Sequence, residues 1–252
     1  MRKFILIILW MGCLSLNSMA DSFLKDVKLQ ARIGYNLGGT APIGLPATVR
    51  SLESYKLHNN VTIELDAGKT IDSKWGALVG LRVENKDMDV DAKVKNYHME
   101  MIRGGESLAG VFTGYVQTQV RQWMITLPIQ ATYDVNDRIQ LRMGPYMSYL
   151  LSKDFEGSVY DGHLRVGDPT GPRIEMGSDP GTRGIYDFSE HMRRFQVGIS
   201  AGIDCHIYRR FGLYADLNWG LNGIFKRSFK TIEQTLYPVY GTFGVIYRIS
   251  KH

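Results

Sequence analysis

Cysteine is nearly absent from this sequence. There are two, Cys13 and Cys205, and Cys13 falls in a segment with the features of a leader. One cysteine therefore survives processing, which excludes a disulfide within the mature chain. Charge of one sign is lacking too. Taking Arg2 and Lys3 from the 30 basic residues leaves 28 against 25 acidic ones, with no cluster of Lys or Arg. That balance argues against a nucleic-acid partner. Past the leader, no segment reads as a transmembrane helix, which needs roughly 20 apolar residues in a row.

The first twenty residues read as a secretory signal peptide. Arg2 and Lys3 precede an apolar run, residues 4–16, and the small residues Ser18 and Ala20 place cleavage after Ala20. The run is short for a membrane anchor, and Trp10 and Met11 suit a lipoprotein signal poorly. The expected organisation is residues 1–20 as signal peptide and 21–252 as a single domain in the cell outer membrane.

What the chain does have is a period of two, repeated in eight segments. Over 211–221, Phe211, Leu213, Ala215, Leu217, Trp219 and Leu221 alternate with Gly212, Tyr214, Asp216, Asn218 and Gly220. Residues 195–207 set Phe195, Val197, Ile199 and Ile203 against Gln196, Gly198, Ser200 and Asp204. The same pattern runs through 27–37, 61–67, 75–83, 123–133, 139–151 and 239–249. Segments of this kind suit tilted strands of about 9 to 11 residues crossing a bilayer.

Alternation does not by itself say which face is inside. Gly34, Gly80, Gly144, Gly198, Gly202 and Gly244 share parity with the charged residues. A narrow bore is crowded and a lipid-facing surface is not, so the small residues and the charges mark the interior; a soluble lipocalin-like barrel would be the reverse. The connections sort the same way, with tight links at 70–74, 134–137 and 208–210 and long ones at 38–60, 88–121, 153–191 and 224–236. The expectation is an all-β fold: an eight-stranded antiparallel up-and-down transmembrane β-barrel with short periplasmic turns and long external loops.

The segments Leu127-Pro128, residues 141–146 (LRMGPY), residues 214–221 (YADLNWGL) and Tyr247-Arg248-Ile249 resemble the PorT-like outer-membrane β-barrel family of Bacteroidetes. The resemblance implies an eight-stranded barrel in a Gram-negative outer membrane. One relative is linked to a protein secretion system, so a secretion-system or surface partner is implied as well. The chain departs from the pattern at its end, where Ile249 is followed by Ser-Lys-His.

On the inward face the pattern places Lys28, Arg32, Arg82, Arg142 and Arg248 with Glu64, Asp66, Glu84, Asp204 and Asp216. Charge confined in this way must be paired, so the expectation is an ion-pair network that plugs the lumen. The alternative is a narrow channel for ions or small solutes. Trp75, Trp123, Tyr133, Tyr149, Phe211 and Tyr237 fall near strand ends on the outer face, as a lipid-facing aromatic girdle.

No catalytic residue, metal ligand or cofactor is assigned. His98, His163 and His191 share predicted loops with Ser107, Ser158 and Ser189, outside any nucleophile motif, which leaves a lipid-modifying enzyme a distant alternative. Asp87, Asp89 and Asp91 alternate beyond the third segment but lack the glycine and distal glutamate of a calcium loop. The longest loop carries the turn-forming runs 167–172 and 177–181 and is read as mobile and too poor in apolar residues to pack alone. A loop of this length is commonly a binding surface, and equally a variable exposed segment with no single ligand. The expected function is a structural or surface-binding barrel in contact with outer-membrane lipid and lipopolysaccharide, not an enzyme.

Overall fold

A computed structural model of the chain describes residues 27–42, 44, 46–229, 231–232 and 235–249. The leader and the three residues after Ile249 lie outside the described residues. Twelve strands form: β1 (Lys28–Pro42), β2 (Val49–Leu57), β3 (Val61–Thr70), β4 (Trp75–Asn85), β5 (Met88–Arg103), β6 (Glu106–Asp134), β7 (Ile139–Val166), β8 (Arg173–Met176), β9 (Gly184–Asp187), β10 (Phe195–Tyr208), β11 (Phe211–Gly220) and β12 (Leu236–Arg248). All belong to one sheet and every pairing is antiparallel. Two single 3-10 turns, Pro180–Thr182 and Ser189–His191, are the helical pieces among the described residues.

Eight of the strands pair in the cycle β1-β3-β4-β6-β7-β10-β11-β12, and β12 returns to β1 from Gln30↔Arg248 to Pro42↔Leu236. Closure leaves the cycle without an edge along its lower half, so the backbone there is paired without help from water. The three short links lie at one end, the turn end, and the long connections lie at the other, the extended end.

The expectation of eight strands is corrected to twelve. β6 is 29 residues long and β7 28, well beyond the roughly 9 to 11 that cross a bilayer. Three of the four segments expected to be loops are therefore partly strand. β5 and the first half of β6 fill 88–121, the upper half of β7 with β8 and β9 fills 153–191, and β2 lies within 38–60. β9 pairs with β7 over Gly184–Asp187 and touches β5 at Ile102↔Ile185. Together β5, β6, β7 and β9 close a second, smaller ring above the first.

Chemistry reverses between the two levels. On β6 the outward residues Trp123, Ile125 and Ile129 are exposed, while Thr126 and Gln130 point in. Higher on the same strand Phe112, Val116 and Val120 are the buried ones, and Tyr115, Gln117 and Gln119 face out. The apolar parity flips from odd to even because the apolar residues move from the outer face of the strand to the enclosed one. β7 reaches the same end by bulges opposite Trp123/Met124 and Thr113/Tyr115, the second marked by Asp161 at φ 43°.

Among the described residues the extended end thus has its own core of seventeen buried apolar residues, including Met99, Met101, Phe112, Val159, Leu164, Tyr186 and Phe188. This corrects the reading of 153–191 as too poor in apolar residues to pack. Its turn-forming runs remain turns, but Phe155, Val159, Leu164, Met176, Tyr186 and Phe188 all enter the cluster. Phe155, Phe188, Phe225 and Phe229 stack on one another at its rim, with centroids 4.8 to 6.3 Å apart.

Candidate functional site

The lower ring encloses a network of side chains that the alternation puts on one face. Arg32 of β1 holds Asp204 of β10 by two hydrogen bonds, both 2.8 Å, while its Nε reaches Asp66 of β3 at 2.5 Å. Arg142 of β7 binds Asp204 at 2.9 Å, Gln130 at 2.7 Å and Asp216 of β11 at 2.5 Å. Arg82 of β4 binds Glu64 at 2.5 Å and reaches Asp216 at 3.3 Å. β4 and β11 sit opposite each other in the cycle, so the Arg82–Asp216 contact crosses the whole bore. Planar guanidiniums with several donors suit this work, since each can bind two or three acceptors on different strands.

Glu84 completes the network with Lys86 at 3.1 Å and Thr126 at 2.8 Å; Lys86 also stands 4.9 Å from the centre of the Tyr240 ring. All these charged groups are essentially without solvent exposure. Gly202 gives the plainest reason for the inward glycines: a Cβ there would collide with the Asp216 carboxylate and with Arg142. Lys28 and Arg248, expected in the network, instead stand at the turn-end mouth. Lys28 is exposed, and both line a vestibule of about 530 Å³ with Lys74, Arg138 and His206. Lys86, Tyr146, Tyr214 and Tyr240 are inward and buried as well. The alternation puts the three tyrosines on the inward parity, whereas Lys86, just past β4, was not picked out from the sequence.

On the outer face, Trp75, Trp123, Tyr149 and Phe211 are exposed and Tyr133 and Tyr237 half-buried. Trp75 packs on Tyr133 at 4.9 Å and Phe211 on Tyr247 at 5.2 Å near the turn end; Tyr149 packs on Phe195 at 5.1 Å near the other. Between these two levels Leu65, Leu81, Met143, Ile199, Leu217 and Phe243 are exposed. Such an apolar surface is out of place in water and fits lipid.

Above the network, at the extended end, lies a cavity of about 640 Å³. Its walls come from the outer ends of β1 and β12, from β2 and β5, and from the aromatic cluster.

A model of the outer membrane protein beta-barrel domain family matches residues 17–226. The chain belongs to that family. It is an outer-membrane protein, as expected from the sequence. No curated protein matches its sequence. Among solved structures it is similar to Ail, the attachment invasion locus protein of Yersinia pestis, at 10% identity and a TM-score of 0.39, covering 89% of this chain and 99% of that one. Neisserial surface protein A is similar at 11% identity and a TM-score of 0.35, covering 89% and 97%.

The outer-membrane barrel disperses the alternative sites. Ser107 donates to Glu100 at 2.7 Å, and Ser189 accepts from the Phe155 amide at 2.9 Å. His191 stacks on Phe229 at 4.6 Å. Among the described residues no hydrogen bond joins Ser107, Ser158 or Ser189 to a histidine. The three aspartates are also taken separately. Asp87 accepts the Gln122 amide at 3.1 Å, Asp89 lies 2.7 Å from Arg121 and 3.0 Å from His58, and Asp91 accepts the Tyr160 hydroxyl at 2.5 Å. Burial pushes the Asp89 carboxyl up, but Arg121 and His58 outweigh it and hold it below the usual carboxylate range. Burial, with the bond to Asp91, raises Tyr160 to about 12. No cluster of metal-ligating residues occurs among the described residues.

Proposed function

We propose that the eight-strand cycle crosses the outer membrane as a closed, non-conducting barrel and that the protein works as a surface-binding module through its external β-sheet. The short turns face the periplasm and the upper ring faces outward, where a lipopolysaccharide leaflet surrounds it. The observation that carries the closed-lumen reading is the Arg82–Asp216 contact across the bore, backed by Arg32 and Arg142 on Asp204. Eight strands leave an interior about filled by side chains, and here those side chains are cross-linked. The surface-binding reading is supported by the sheet itself: a fixed external core presents its outer faces as a defined surface. Within the family, the quoted segments support a PorT-like placement and a secretion-system partner.

The closed lumen is tested in planar lipid bilayers with the purified full chain. The expected record shows no steady conductance at neutral pH. A steady conductance of nanosiemens size would overturn the closed lumen and favour the narrow channel.

A further inference from the structure

We infer that the external cavity binds one acyl chain of an amphiphile, entering from the side, with an anionic head at Arg50. The inference deepens the surface-binding reading and rests on it in taking the external sheet as a fixed scaffold.

The first reason is a break in the wall. β1 pairs with β12 as far as Pro42, but its pairing with β3 ends at Tyr35↔Val61. Among the described residues, 36–42 therefore present an edge with no strand beside it. Side chains and a turn finish that edge. The Asn36 amide donates to the Asn60 carbonyl at 2.7 Å, the Tyr55 hydroxyl donates to the Gly38 carbonyl, and the Thr40 amide meets the Met88 sulfur at 3.4 Å. β2, which carries Tyr55, pairs as a strand with β5 alone and passes in front of this edge. The cavity is lined by Leu37, Gly39 and Ala41, which share the lipid-facing parity of β1, and also by Met99, Val116 and Phe188 of the external core. It therefore runs from the outer face of the wall to the inside of the upper ring.

The second reason is height. Gly39 pairs with Val239, and Val239 with Trp219, an exposed residue of the lipid-facing surface. On the far wall Met88 pairs with Val120, three residues above the girdle residue Trp123. The opening stands at the upper boundary of the bilayer, where lipid tails begin.

The third reason is chemistry. The walls are aliphatic, aromatic and thioether, and Met88 and Met99 are side chains that adapt to irregular apolar shapes. Deep in the site Tyr186 bonds to Thr118 at 2.7 Å and to the Gln117 carbonyl at 2.9 Å, and among the described residues the buried Thr40 hydroxyl is the lining oxygen left without a partner. A polar ligand would find that single hydroxyl to hold it there, whereas an apolar chain gives up little. Arg50, exposed on β2, is the one charged residue in the lining among the described residues. It suits a carboxylate or phosphate at the head of the chain.

The chain belongs either to a bilayer lipid or to a free fatty acid. The full protein in lipid nanodiscs is photolabelled in two arms, one with a phospholipid carrying a tail diazirine and one with a diazirine fatty acid, and the adducts are mapped by peptide mass spectrometry. The expected result is adducts on Val94, Tyr97 or Met99, beyond the belt adducts that any lipid gives. Labelling by the phospholipid identifies the bilayer as the source; labelling by the fatty acid alone identifies a free amphiphile. Ala92→Trp, which puts an indole into the cavity beside Val90 and Val94, sharply reduces these adducts and leaves those on Ile199 and Leu217 unchanged. Gly39→Phe, at the mouth, does the same if the first variant does not run as the compact, detergent-resistant band that a closed barrel gives on an unboiled denaturing gel. Belt adducts alone in both arms, or cavity adducts that persist in a folded filled variant, would overturn the proposal. Conductance reports the plug and photolabelling reports the cavity, so failure of one reading is distinguishable from failure of the other.

Discussion

Asp204→Ala is expected to be among the most damaging single changes in the membrane-spanning part, lowering stability by about 3–5 kcal/mol. Asp204 accepts two bonds from Arg32 and one from Arg142, and all three groups are without solvent exposure. Removing it leaves Arg32 with Asp66 and Arg142 with Gln130 and Asp216, and three of their N–H donors lose an acceptor that water cannot replace. The measurement is the urea midpoint of the folded, unboiled gel band in lipid vesicles, with Asp137→Ala in an exposed turn as control. Glu64→Gln is expected to behave otherwise. Among the described residues four buried cations, Arg32, Arg82, Lys86 and Arg142, face five buried carboxylates, and Glu64 Oε1 and Asp66 Oδ1 have no hydrogen-bond donor while both crowd the space beside Gly80. An amide at 64 keeps an oxygen for Arg82 and turns an N–H toward Asp66. The change should stay within about 1 kcal/mol of wild type. Equal midpoints for Asp204→Ala and Asp137→Ala would show that the network carries no net stability.

The contrast between these two carboxylates was not legible in the sequence, although both residues were. Parity put Arg32, Glu64, Asp66, Arg82, Glu84, Arg142, Asp204 and Asp216 on one face, because a strand in lipid cannot turn a charge outward. It could not say which charges meet across the bore, since that depends on the pairing order of strands far apart in the chain. Lys28 and Arg248 share the parity but sit at strand ends, where the bore opens and height rather than face decides exposure. The external strands were missed for a related reason. Along β6 the apolar residues change from odd to even near Val120, so a single period-two template matches one half and fails on the other. On β5 and β7 bulges such as those at Asn96 and Asp161 break the count again, both at positive φ. The β2–β5 arm and the gap beside β1 had no signal of their own in the sequence.

Phe112→Ala is expected to divide the protein into its two tiers. Phe112 is fully buried, pairs with Leu164 across β6 and β7, and lays its ring against the backbones of Gly114 and Gly162, which have no side chains to fill that space. Truncation removes the ring and leaves a void between two glycines, at a cost of about 3–5 kcal/mol. The upper ring has little to absorb it. β9 joins β5 at one residue pair and β8 is four residues long, so closure there depends on the shared core more than on backbone pairing. The loss should appear as local opening of the external sheet, with trypsin cutting at Lys93 and Lys95 accelerated by about two orders of magnitude or more. The lower ring shares no part of that core below Met124 and Leu150, and its arginine network is untouched. The unboiled band should therefore persist, trimmed but folded, and its urea midpoint should stay that of the wild type. Phe112→Leu, which keeps most of the apolar volume, should restore protease resistance. If Phe112→Ala instead abolishes the folded band, the external sheet and the barrel form one cooperative unit, and an upper tier free to respond to a ligand without unfolding the membrane-spanning part is ruled out.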